Sequence, residues 1–187
     1  MYKGKTAFII QMIVIAALYV ILTYVANMFG MANGIIQVRI SEALTVLPYF
    51  TPAAIPGLFI GCLAANYTMG NPMYDVLIGS GATLVAAVIS YLIRKYKFAV
   101  PFPPIIINAF TIPFIYNVLL RLDDHSFWAS VALVGVGEVI SCGVLGIAVM
   151  LGLEDYKDKL FPQAGPEKSM ENTDKPAEET EEKTEEN

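Results

Sequence analysis

The sequence predicts an all-α membrane protein, a bundle of six transmembrane helices. Three observations predict it. The mean hydropathy is +0.57 and 56% of residues are hydrophobic, although the chain ends in a very polar stretch. Apolar runs recur along the chain, and Phe127–Leu153 is twenty-seven residues long with Glu138 as its sole charge. About 20 apolar residues cross the hydrocarbon core. Charge is also segregated. Residues 1–162 carry nine Lys/Arg and eight Asp/Glu, whereas residues 163–187 carry nine Asp/Glu and three Lys. The formal charge of −5 therefore belongs to the tail and implies no cationic partner for the core.

The first element is Thr6–Phe29, too long for a signal-peptide apolar region of roughly 7–15 residues and read as a retained span. It ends in the turn-rich Gly30-Met31-Ala32-Asn33-Gly34. The second is the short Val38–Phe50, which holds Arg39 and Glu42 and is stopped by Pro48 and Pro52. The third is Pro52–Tyr67, where Gly57, Gly61 and Ala65 recur every four residues and admit a close neighbouring helix. Met73–Ile93 follows, with Ala82, Ala86 and Ser90 as a second small stripe, and Arg94-Lys95-Tyr96-Lys97 stops it at a membrane surface. The fifth, Pro101–Leu120, opens on prolines tolerated in a first turn. The sixth is Phe127–Leu153. Residues 163–187 lack aromatics and are read as a disordered acidic cytoplasmic tail beyond a transmembrane domain, 1–162.

Orientation follows from basic residues. With six spans and the N-terminus inside, the inner loops hold Lys3, Lys5, Arg94, Lys95, Lys97, Lys157 and Lys159, while the outer side holds Arg121 and Arg39. That asymmetry places both termini in the cytoplasm.

This topology gathers polar residues toward the outer half. Gln37, Arg39 and Glu42 lie near the outer end of the second element. Asn66 and Tyr67 close the third, Tyr74 and Asp75 open the fourth, and Tyr116 and Asn117 lie near the outer end of the fifth. Phe127 and Trp128 open the sixth. Glu138 lies eleven residues further in, about 16 Å at 1.5 Å per residue, and Asn108 lies about 11 Å from the inner end of its span. An ionisable group at such depth is costly and is a functional candidate. The candidate binding residues are thus Arg39, Glu42, Asn66, Tyr67, Asp75, Asn108, Asn117, Trp128 and Glu138, with Glu138 at the floor of a pocket open to the outside.

A plain structural role competes at most of these positions. Arg39 and Glu42 have the spacing of an intrahelical ion pair. Asn66, Asp75 and Asn117 sit where helix caps occur. Tyr67 and Trp128 fit an interfacial aromatic belt, and Asn108 fits an interhelical hydrogen bond. Glu138 is explained by neither capping nor snorkelling. His125 reads as an outer-loop residue.

Several chemistries lack their motifs. Cys62 and Cys142 lie in apolar runs without metal-ligand spacing and read as buried thiols. Gly4-Lys5-Thr6 lacks the preceding glycine of a phosphate-binding loop. No metal, cofactor or nucleic-acid partner is indicated. An enzyme using Glu138 and Asp75 as acid and base would want a nucleophile or metal that no motif supplies. Without an inverted repeat of broken helices, uphill transport points to an ATP-hydrolysing partner rather than an ion gradient.

Three segments carry a family resemblance. They are Gln37-Val38-Arg39-Ile40-Ser41-Glu42-Ala43-Leu44 with Leu47-Pro48, Gly57-Leu58-Phe59-Ile60-Gly61-Cys62 through Asn66, and Gly137-Glu138 with Cys142. Together with six short spans they resemble the QueT family, substrate-binding S components of energy-coupling factor (ECF) transporters. The resemblance covers most of residues 5–162. It implies a bacterial plasma-membrane protein that is not an enzyme and that captures 7-cyano- or 7-aminomethyl-7-deazaguanine. It also implies a transmembrane coupling subunit and two ATPase subunits as partners. The alternatives are an S component for another vitamin and a secondary carrier. S components commonly dock through Ala-x-x-x-Ala on the first helix. Here Ala16, Ala17 and Ala26 form no such copy, although Ala16–Thr23 lies on a small face.

A guanine-like edge presents two parallel donors that one carboxylate can accept, so Glu138, Glu42 or Asp75 suits that task. Asn66, Asn108 or Arg39 can donate to the ring carbonyl. Trp128, Tyr67, Tyr74 and Tyr116 offer stacking faces.

Overall fold

Small residues decide where these helices meet. The computed structural model describes residues 4–31, 38–122 and 125–161. The readings made for Gln37 and for the acidic tail lie outside those residues. Helix α1 (Gly4–Met28) lies against α2 (Ala54–Thr68). A β-carbon added at Gly57 would lie 2.9 Å from the Met12 carbonyl oxygen, and one at Gly61 would lie 2.7 Å from the Tyr19 Cβ. The expected glycine stripe therefore makes the close α1–α2 crossing. Most of α1 otherwise faces outward, with Ile9, Ile13 and Ile21 exposed. Two residues after α2, Gly70 has a φ of +75°, a left-handed turn that favours glycine.

The second sequence element is a 3-10 helix, Ile40–Tyr49, with Ser41 to Pro48 all buried. Ten residues at about 2.0 Å each give roughly 20 Å, short of the ~30 Å hydrocarbon core. Its two ends fix its depth. The Arg39 backbone N–H donates to Ser141 Oγ at 3.1 Å, and the Tyr49 hydroxyl donates to Glu154 at 3.4 Å. The 3-10 helix therefore runs alongside the second half of the last membrane rod, from its middle to its C-terminal end. Arg39 starts at that middle level and not at a surface loop.

The remaining helices are α3 (Ser80–Leu92), α4 (Phe102–Pro113), α5 (Phe127–Glu138), α6 (Gly146–Glu154) and the short α7 (Lys157–Leu160). Three π-helical segments interrupt or extend them: Asp75–Gly79 before α3, Phe114–Leu119 after α4, and Val139–Leu145 between α5 and α6. With these included, four continuous helices are long and apolar enough to cross a membrane: Lys5–Met28, Asp75–Leu92, Lys97–Leu119 and Phe127–Glu154. Ala54–Thr68 is a shorter apolar helix. The described residues thus make a multi-pass, all-helical membrane protein.

The second small stripe is also used. Ala82, Ala86 and Ser90 are buried on α3, and Ser90 donates to the Val100 carbonyl at 2.8 Å. At one end of the bundle Lys97 pairs with Glu154, Phe50 stacks on Phe161 at 5.3 Å, and Gln11 donates to the Leu160 carbonyl at 3.2 Å. These contacts tie α1, the end of the 3-10 helix, the segment before α4 and the C-terminal segment together at the end rich in lysine.

Candidate functional site

Buried polar groups collect around the 3-10 helix, because it is the one element enclosed by others along most of its length. Glu42 is 1% exposed, Asp75 0%, and Glu138 6%. Each comes from a different element. Glu42 lies in the first turn of the 3-10 helix, Asp75 opens a π segment, and Glu138 immediately precedes another. Widened turns of this kind free backbone groups and recur at functional sites.

Two linked networks result. In the first, Arg39 lies 4.0 Å from Asp75, so its ion pair crosses between elements and is not the intrahelical one with Glu42. Asp75 Oδ2 also accepts from Tyr116 at 3.2 Å and from the Asn71 amide at 3.0 Å. The same Asn71 nitrogen donates to Asn66 Oδ1 at 3.2 Å. In the second network, the Tyr19 hydroxyl donates to Glu42 Oε1. The Asn108 amide donates to one Glu138 oxygen at 3.4 Å, and the Cys142 thiol donates to the other at 3.2 Å. Thr45 donates to Cys142 at 3.4 Å and to the Glu42 carbonyl at 2.6 Å. Arg39 sits between the networks and acts electrostatically on Glu42 and Glu138 as well as on Asp75.

Glu42, Glu138 and Cys142 each offer one atom within 4.8 Å of the other two, an arrangement with the donor types to hold a cation. Among the described residues, Glu42 Oε2, Asp75 Oδ1 and Ser41 Oγ are buried without a hydrogen-bond partner. Such orphaned atoms are expensive in a protein interior and ask for an explanation.

Of the nine candidates from sequence, six share this cluster: Arg39, Glu42, Asn66, Asp75, Asn108 and Glu138. The other three lie apart from it. Tyr67 and Trp128 are 66% and 70% exposed on the outside of the bundle. Asn117 donates to the His125 carbonyl at 2.8 Å, pinning the loop before α5. Sequence reasoning missed Tyr19, Thr45, Asn71 and Ser141. Tyr19 lies in the most apolar span with nothing local to single it out. Asn71 does carry a signal, a lone amide in the turn Gly70-Asn71-Pro72 between two spans.

Fold and site together define the class: a polytopic helical membrane protein enclosing a charged, polar cluster among its helices. The chain belongs to the QueT transporter family, whose profile matches residues 9–155. A curated relative, the queuosine precursor transporter QueT of Lactococcus lactis subsp. cremoris (strain MG1363), is 38% identical over 85 residues. That alignment covers 46% of this chain and 50% of the relative, so the match spans about half of that protein's length. No solved structure matches the chain.

Proposed function

We propose that the protein captures a queuosine precursor, a 7-deazaguanine, as the S component of an ATP-driven ECF importer in a bacterial plasma membrane. Family membership and the named relative support the substrate class. The observation that carries the reading is the cluster of Arg39, Glu42, Asp75 and Glu138, held with Asn66 and Asn108 in the interior of an otherwise apolar bundle. A deazaguanine edge supplies paired N–H donors, and buried carboxylates with free oxygens accept them. The carbonyl on the same edge suits a donor such as Asn108, Asn66 or Arg39. Tyr116, half-buried beside Asp75, is an aromatic at the edge of this arrangement.

In this reading the domain is residues 1–162, crossing the membrane six times with both termini cytoplasmic, and 163–187 is a solvated tail. Beyond the four long helices, this reading needs the short α2 and the 3-10 helix, with its flanking residues, to carry the chain across twice more. Energy for import would come from a transmembrane coupling subunit and two ATPases. A shallow apolar groove of about 290 Å³ between α1 and α2, lined by Ala16, Ala17, Gly61 and Ala64, suits close approach of a partner helix.

The test has two arms. Purified protein should bind a 7-deazaguanine, and Glu138→Gln should weaken binding about tenfold to a hundredfold, because a donor replaces an acceptor. Uptake into proteoliposomes should require the coupling and ATPase subunits. Accumulation by this chain alone on an ion gradient would make it a secondary carrier. Unchanged binding in a stable Glu138→Gln protein would remove Glu138 from the site.

A further inference from the structure

We propose that Glu42 and Glu138 together receive a protonated primary amine of the ligand, so that the protein selects a 7-aminomethyl-7-deazaguanine over its neutral 7-cyano counterpart. The inference rests on the deazaguanine reading above and adds the ligand's charge to it.

The charges in the cluster are unequal. Three carboxylates, Glu42, Asp75 and Glu138, are buried together. Among the described residues the cation that reaches them is Arg39, which acts on all three but forms its ion pair with Asp75. Glu42 and Glu138 are left with neutral donors: a tyrosine hydroxyl, an amide at 3.4 Å and a thiol at 3.2 Å. Glu42 Oε2 has no donor at all among the described residues. Two carboxylates this close in a water-poor interior repel unless a proton or a cation comes between them.

Geometry favours an ammonium there. An oxygen of Glu42 and one of Glu138 lie within 4.8 Å of each other. A nitrogen making charge-assisted bonds of about 2.8 Å can bridge oxygens up to roughly 5.6 Å apart. An ammonium brings three donors and no acceptor, matching a site edge made of acceptors. A nitrile brings only an acceptor, so it would face two carboxylates with nothing to offer them. Asp75 Oδ1, also without a partner, remains for the donors of the ring edge.

The experiment is calorimetric titration of the purified full chain with three ligands: 7-aminomethyl-, 7-ethyl- and 7-cyano-7-deazaguanine. The ethyl compound keeps the size of the aminomethyl group and removes its charge. The aminomethyl ligand should bind roughly tenfold to a hundredfold more tightly than either neutral ligand. In Glu42→Gln the ratio of aminomethyl to ethyl affinity should shrink severalfold. The wild-type comparison stands alone if the variant does not fold. Equal binding of all three ligands by the wild type would overturn the amine assignment and leave the deazaguanine reading intact. Binding of none would overturn the deazaguanine reading, and the amine assignment with it. Equal binding accompanied by thermal stabilisation with Zn²⁺ or Mn²⁺ that is lost in Cys142→Ser would replace the amine with a metal ion.

Discussion

The Tyr19 hydroxyl donates to a carboxylate oxygen of Glu42, joining the middle of α1 to the first turn of the buried 3-10 helix. This contact fastens the most peripheral helix to the most enclosed element. Tyr19 is 2% exposed although most of its helix faces outward. Its position is set by Gly61, whose missing side chain lets the Tyr19 Cβ approach.

Tyr19→Phe should leave both oxygens of Glu42 without a protein donor. The expected cost is about 1–3 kcal/mol of stability, read as a lower melting temperature in detergent. Saturating ligand should restore part of the loss, because it supplies donors to the same carboxylate. A variant as stable as wild type would mean that this bond contributes nothing.

Gly61→Ala tests the helix crossing. The new methyl would lie 2.7 Å from the Tyr19 Cβ and 3.0 Å from the Ala16 carbonyl oxygen, neither of which is a flexible side-chain end. Overpacking should destabilise by about 1–3 kcal/mol and weaken ligand binding by displacing Tyr19. Gly81→Ala is the matched control, since nothing lies within 4 Å of its added methyl. It should be neutral or slightly stabilising. Equal melting temperatures for the two variants would argue against a tight α1–α2 contact.

Asn71→Ala removes the amide that bridges Asn66 and Asp75. Folding should survive, because the residue lies in a turn outside the apolar spans. Ligand affinity should fall about tenfold, reflecting loss of one charge-assisted hydrogen bond and freer motion of Asp75. Measured binding within twofold of wild type would place Asn71 outside the functional network.

Reporter or labelling tags at the two termini should both report the cytoplasmic side. The distribution of lysine and arginine drives this expectation, and Lys97, Lys157 and Lys159 lie at the same end of the bundle, near the contacts of Glu154 and Phe161. Tags on opposite sides would require an odd number of crossings and would end the six-span proposal.

The sequence by itself determined that the chain lives in a membrane, where its long spans run, and that Gly57, Gly61, Ala82 and Ala86 form packing stripes. It also singled out Arg39, Glu42, Asp75, Asn108 and Glu138, because the cost of burying a polar group is written in residue type and depth. Only the tertiary structure decided which of these meet. Hydropathy sums over a window and carries no record of which way each side chain points. The winding of the backbone sets that direction, and it changes wherever a 3-10 or π turn replaces an α turn. Hence the 3-10 form of Ile40–Tyr49 and the pairing of Arg39 with Asp75 rather than Glu42 were not legible locally, and the structure decided between pocket and outer belt for Tyr67 and Trp128. Tyr19 joined the site for the same reason: its partner lies 23 residues away, and a glycine on a third element made room for it.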